Sequence, residues 1–216
     1  MNQRITRLAR GLAAAGILLL AGATAGAFQL PDGSYTVLKP AQPTVTEVPA
    51  GRVEIAEVFW YACGHCYAIE PKVQAWINKG KPAYVNYVFL PATWNDVLKT
   101  HARIFFTIQL LGKPALHDEV FREINVKRNM LETPAKIEAF FVAHGVSKAD
   151  FQKAFSSFAV ESKLRQAEDL NRRYKITGTP TFVVNGTYVT DVGSAGSEDA
   201  LFDVLGALAA KAKSGR

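Results

Sequence analysis

Residues Val53 to Tyr61 are almost continuously apolar, rich in β-branched and aromatic side chains, and run directly into Cys63-Gly64-His65-Cys66. A strand that is apolar on both faces needs a covering layer on each side, which places it in the middle of a sheet. Beyond it, Ile69, Val73, Trp76 and Ile77 recur at helical spacing, with Pro71 expected to kink that helix. The two cysteines therefore stand at a strand-to-helix transition, and they are the only two in the chain. At a helix N-terminus, unpaired N–H groups and the positive end of the dipole favour a thiolate over a thiol, so the pair reads as a redox dithiol. A structural zinc site needs about four ligands, and no second cysteine pair exists to supply them. A purely structural disulfide across so short a loop contributes little entropy.

The N-terminus reads as a secretory signal peptide. Arg4, Arg7 and Arg10 precede the apolar run Leu12 to Ala23, and Ala25-Gly26-Ala27 fits a small-residue cleavage site before Phe28. A transmembrane anchor calls for about 20 apolar residues, more than this Ala/Gly-rich run contains. Cleavage removes three arginines and no acidic residue, so the formal net charge falls from +6 to +3. That excess is too small to point to a nucleic-acid partner. Export places the dithiol where disulfides persist, such as a bacterial periplasm.

Along the rest of the chain, Pro31, Pro40, Pro43 and Pro49 break regular structure before Gly51, while Ser34 to Leu38 fits a short edge strand. Glu57 interrupts the apolar run. It lies either on a solvated face or buried near the dithiol, where a carboxyl with a raised pKa can handle protons. Residues Ala83 to Leu90 form a second strand, ended by Pro91. From about Asn95 to Lys175 the period is helical, with breaks at Gly112-Lys113-Pro114, Glu132-Thr133-Pro134 and Gly145-Val146-Ser147, giving four or five helices. Thr133 reads as an N-cap before Pro134, and Ser147 to Asp150 as a capping box. His101, His117 and His144 read as surface or satisfied core histidines. Phe105, Phe106, Phe140, Phe141, Phe151, Phe155 and Phe158 are expected to form this region's core. Asn185-Gly186 between Thr181–Val184 and Thr187–Thr190 signals a two-residue hairpin, and a last amphipathic helix begins near Ser197. The order of elements indicates an α/β sheet interrupted by an all-helical insertion.

Cys63-Gly64-His65-Cys66 after a buried strand, Pro71 beyond it, and Thr179-Pro180 before a hairpin strand together resemble the thioredoxin superfamily. The signal peptide, the helical insertion and the stretches Glu57-Val58-Phe59 and Gly178 to Gly186 narrow this to the DsbA-like thiol:disulfide oxidoreductases. The resemblance implies a thioredoxin fold, a central mixed β-sheet flanked by helices, with an inserted all-helical domain. The expected divisions are a signal peptide at 1–27, thioredoxin-fold parts at 28–91 and 176–216, and the insertion at 92–175. It implies that Cys63 is the nucleophile, that Cys66 is the buried resolving partner, and that His65 favours the Cys63 thiolate. It also implies that Glu57 is a buried acid beneath the dithiol, that Glu70 is a second acidic position one turn on, and that Pro180 is cis, with Thr179 presenting its backbone to substrate. The implied activity introduces disulfides into reduced or unfolded exported proteins, with a quinone-linked membrane oxidase as reoxidising partner. The chain is expected to be monomeric, with no metal and no cofactor beyond the dithiol. Gly64 stands where the best-known oxidases have proline, and Thr179 where they commonly have valine; Gly-His and threonine at these positions also occur in the disulfide isomerases. A disulfide isomerase or reductase on the same fold, and a non-enzymatic chaperone-like peptide-binding module, remain open as alternatives.

Overall fold

The computed structural model describes residues 28–215; the expected signal peptide lies outside them. The apolar run forms a strand at Val53–Phe59 in which all seven residues are buried. It pairs in parallel with Val85–Pro91 on one side and antiparallel with Thr181–Val184 on the other. Numbered along the chain, the strands are β1 (Thr36–Val37), β2 (Val53–Phe59), β3 (Val85–Pro91), β4 (Thr181–Val184) and β5 (Tyr188–Thr190), and the mixed sheet runs β1-β5-β4-β2-β3. The Ser34–Leu38 segment thus supplies the short edge strand expected of it, at Thr36–Val37.

Helix α1 (Gly64–Lys79) starts at the dithiol and continues through Pro71. Five helices then intervene between β3 and β4: α2 (Asp96–Leu110), α3 (Leu116–Asn125), α4 (Pro134–Ala143), α5 (Lys148–Phe155) and α6 (Phe158–Arg173). After β5 come a single turn, α7 (Val192–Ala195), which the sequence pattern did not indicate, and α8 (Glu198–Lys213), capped by Ser197. One sheet face, with Val53, Ile55, Phe182 and Val184, packs on Ile69 and Val73 of α1 and Leu201, Val204 and Leu205 of α8. The other, with Ala56, Val58, Leu90 and Val183, packs on the helical insertion. Phe59 joins the two parts, edge-on to Phe105 at 5.3 Å and to His117 at 5.2 Å.

Local signals act where they stand. Thr133 and Ser147 cap α4 and α5 through their hydroxyls. Asn185 and Gly186 take φ of 49° and 62°, the left-handed pair a type I′ hairpin requires. Gly186 is doubly constrained, because a Cβ there falls 1.9 Å from the carbonyl oxygen of Gln42.

The five helices agree with the expected four or five, one boundary carries no glycine or proline signal, and two expectations need correction. The break between α5 and α6 falls at Ser156-Ser157, with neither glycine nor proline, and depends on the Ser157 hydroxyl accepting from the Val160 N–H at 3.2 Å. Ser157→Ala should therefore cost about 1 kcal/mol, read as a lower urea midpoint at unchanged slope. Phe158 is not core. It is 79% exposed in the first turn of α6, its ring under the Arg165 guanidinium at 5.8 Å. His101 is a satisfied core histidine, accepting from Trp60 Nε1 and donating to the Met130 carbonyl. His117 is not, because only Nδ1 is paired, to the Tyr61 hydroxyl at 2.9 Å, and Nε2 bonds no described residue. Burial pulls the His117 pKa down to about 4, so the ring is neutral.

Candidate active site

Beyond β2 the chain makes one tight turn, closed by a hydrogen bond from the Cys63 N–H to the Trp60 carbonyl at 3.0 Å. That turn leaves Cys63 in extended geometry as the N-cap of α1, its Sγ 3.4 Å from the Cys66 N–H. A sulfur here occupies the place of a capping oxygen, among donors that lack helical partners. Both cysteines are free thiols in this structure, Cys63 partly exposed and Cys66 fully buried.

The two sulfurs ionise very differently. The Cys66 thiol donates toward Cys63 and, against the opposing effect of partial burial, lowers its pKa from about 9 to about 5. The Thr179 side chain and the N–H groups of Cys66 and His65 add to this. Cys63 is therefore a thiolate at neutral pH. Burial drives the Cys66 thiol far above its usual range, and hydrogen bonding to Cys63 adds to the shift. His65 acts on Cys63 through its backbone N–H. A Cβ at Gly64 meets no atom within 4 Å, so local space does not require glycine at this first helical position.

Glu57 is completely buried, which decides between the two sequence readings in favour of the interior. Burial, then the charge of Glu70, raises its pKa to about 8, against a hydrogen bond from the Tyr87 hydroxyl to Oε2 that lowers it. Oε1 has no partner among the described residues. Glu70 lies one turn beyond Cys66 on the buried side of α1. Its Oε1 accepts from Gln74 at 2.7 Å, and burial raises its pKa too. Sequence reasoning missed Tyr87, because its position relative to Glu57 depends on the β2–β3 register, Ile55 opposite Tyr87 and Glu57 opposite Phe89.

On the far side of Cys63, the Thr179–Pro180 peptide is cis and the Thr179 carbonyl lies 3.3 Å from Sγ, positioned to accept the proton of the thiol form. His65, Ile69, residues 177–181, residues 191–193 and Glu198 line a groove of about 410 Å³ beside it. Cys63, Cys66, His65, Glu57, Glu70, Thr179 and Pro180, dispersed over more than 120 positions, thus converge on one end of the sheet. Among the described residues, no group of three or more His, Cys, Asp or Glu side chains could hold a metal ion, and no helix is long and apolar enough to cross a membrane.

Comparison with known proteins agrees with this geometry. The family described as DSBA-like thioredoxin domain matches residues 80–205, a span that begins past the dithiol and so owes nothing to the cysteines. The thiol:disulfide interchange protein DsbA of Pseudomonas aeruginosa is 36% identical over 194 residues, covering 88% of this chain and 90% of that protein. The protein of the same name from Pseudomonas syringae pv. tomato is 39% identical over 171 residues, covering 79% and 78%. The crystal structure of Pseudomonas aeruginosa DsbA superposes with a TM-score of 0.78 at 34% identity, over 84% of this chain and 93% of that one. Oxidoreductase DsbA from Xylella fastidiosa gives 0.78 at 26%, over 86% and 100%. A reactive thiolate at a helix start, a buried partner thiol and a thioredoxin fold with a helical insertion, shared across most of the chain with proteins of that name, make this chain a member of the DsbA-like family of thiol:disulfide oxidoreductases.

Proposed function

We propose that this oxidoreductase oxidises exported proteins by donating the Cys63–Cys66 disulfide. A substrate thiolate attacks Sγ of Cys63, the Cys63–Cys66 bond breaks, and Cys66 leaves as a thiolate that takes a proton from Glu57. A second substrate thiol, deprotonated, then attacks the substrate sulfur of the mixed disulfide. Its two cysteines become a disulfide, and Cys63 leaves as the stabilised thiolate. While the mixed disulfide stands, the Thr179 carbonyl has no thiol proton to accept and can pair with a backbone N–H of an extended substrate chain. A quinone-linked membrane oxidase returns the pair to the disulfide, the protein works as a monomer in the periplasm after residues 1–27 are cleaved, and it needs no cofactor beyond the dithiol. Residues 92–175 form the inserted domain in this reading, between thioredoxin-fold parts at 28–91 and 176–216.

The observation that carries this reading is the separation of the two sulfurs' acidities. A Cys63 thiolate stable down to about pH 5 favours the reduced pair, and a stable reduced form makes the disulfide an oxidant. Titration of thiolate ultraviolet absorbance should show a midpoint near pH 5. Equilibration with the glutathione couple at neutral pH should leave the protein reduced while glutathione is substantially oxidised. A potential more reducing than glutathione would reassign the chain to disulfide reduction or isomerisation. Full activity in cells from a Cys63→Ala/Cys66→Ala double variant would reassign it to peptide binding.

A further inference from the structure

We propose that Tyr87 is a positioning residue for the dithiol chemistry: its hydroxyl, donated to Oε2 of Glu57, leaves Oε1 as the oxygen that carries the proton exchanged with Cys66. This rests on the proposed function and assigns a further residue to it.

The geometry begins in the strand register. Tyr87 and Phe89 of β3 share the sheet face of Glu57, and because Glu57 stands opposite Phe89 and Ile55 opposite Tyr87, the Tyr87 ring lies diagonally beside the carboxyl. That ring is wedged edge-on between Trp76 at 6.1 Å and Phe89 at 5.5 Å, which fixes where its hydroxyl points. Burial keeps the phenol protonated, so it remains a donor wherever Glu57 titrates. A carboxyl oxygen that accepts the phenol hydrogen is the one without the acid proton, so in neutral Glu57 the proton sits on Oε1. The ionisable groups facing Glu57 are Cys63 at the N-cap of α1, Cys66 and Glu70 within α1, and Tyr87 from β3; its β4 neighbour, Phe182, has no charge. Of these, Tyr87 alone stabilises the carboxylate, opposing burial and the charges of Glu70 and Cys63.

The step in which this matters is closure of the disulfide. With oxidised glutathione as oxidant, the Cys63 thiolate attacks one glutathione sulfur and expels a glutathione thiolate. Cys66 gives its proton to Oε1 of the Glu57 carboxylate, its sulfur attacks Sγ of Cys63, and the second glutathione thiolate leaves. Glu57 finally loses the proton to water. The ionised form of Glu57 is required, and Tyr87 sets how much of it is present.

Tyr87→Phe keeps the ring and deletes the hydroxyl. Carbon-13 NMR of the glutamate carboxyls in the reduced protein should show the Glu57 titration moved up by about one pH unit. The rising limb of the closure rate of the Cys63–glutathione mixed disulfide should move with it, leaving closure about tenfold slower at neutral pH. In a Glu57→Gln background, Tyr87→Phe should leave the pH profile unmoved. An unshifted Glu57 titration, or an equal rate loss in that background, overturns the role. The carboxyl titration reads Tyr87 independently of activity. A parent protein that does not oxidise a reduced, unfolded protein therefore sinks the proposed function, whereas a normal parent with an unshifted variant sinks only the role of Tyr87.

Discussion

Cys66→Ser is expected to lower turnover in disulfide formation about a thousandfold or more while leaving the first half of the reaction intact. The variant retains the sulfur that caps α1, and a serine hydroxyl at 66 can still donate toward it, replacing the thiol that contributes most to the low pKa of Cys63. Its thiolate titration should stay near that of the parent. It has lost the second sulfur, so a disulfide reagent or substrate captured at Cys63 has no internal nucleophile to release it, and the mixed disulfide should accumulate and be weighed intact by mass spectrometry. Cys66→Ala separates the two roles of residue 66. It also traps the adduct, but with no donor at 66 the Cys63 pKa should rise by about one unit or more. Cys63→Ser should show no thiolate band and no adduct. If Cys63→Ser still oxidised a reduced, unfolded protein, the assignment of Cys63 as nucleophile would be wrong.

What was legible in the sequence is what a few adjacent residues determine alone. Asn185-Gly186 adopts two left-handed conformations because few other pairs do so at low cost. Cys63 becomes an N-cap because an apolar strand stops before it and a helix-forming run follows, which also makes its reactivity readable. Less was visible where the outcome depends on partners distant in the chain. With all seven residues of β2 buried there is no polar alternation, so no pattern could place Glu57 inside or out. Tyr87 carries no local signal of a role, since its pairing with Glu57 exists only once β3 takes its register beside β2. Phe158 departs from the expected core because an apolar residue type does not fix its side, and this side chain projects from the surface turn after Ser157, where Arg165 and not the core covers it. The histidines divide in the same way: a tryptophan N–H from residue 60 and a carbonyl from residue 130 satisfy His101, and no local spacing reveals either.

Glu57→Gln should make the reduced protein more stable at pH 7 by about 2 kcal/mol, a gain that falls with pH and turns into a loss of about 1 kcal/mol at pH 4. In the folded protein Glu57 titrates near 8, against 4.5 for an ordinary glutamate. Below pH 4.5 both folded and unfolded chains hold the proton, and the group makes no difference to stability. Between 4.5 and 8 the unfolded chain releases it while the folded chain keeps it, so stability drains away as pH rises; above 8 the full penalty applies. At pH 7 that penalty is about 3 kcal/mol. Glutamine removes the titration and still offers Tyr87 an oxygen to bond, but it places N–H donors where Oε1 has no partner, which returns about 1 kcal/mol. Urea unfolding of both proteins at pH 4, 6 and 8 reads the difference directly; a gain that is flat across this range, or a loss at pH 8, would mean that the carboxyl is not the buried acid its surroundings make it. The same variant should close its disulfide slowly, having no base to take the Cys66 proton.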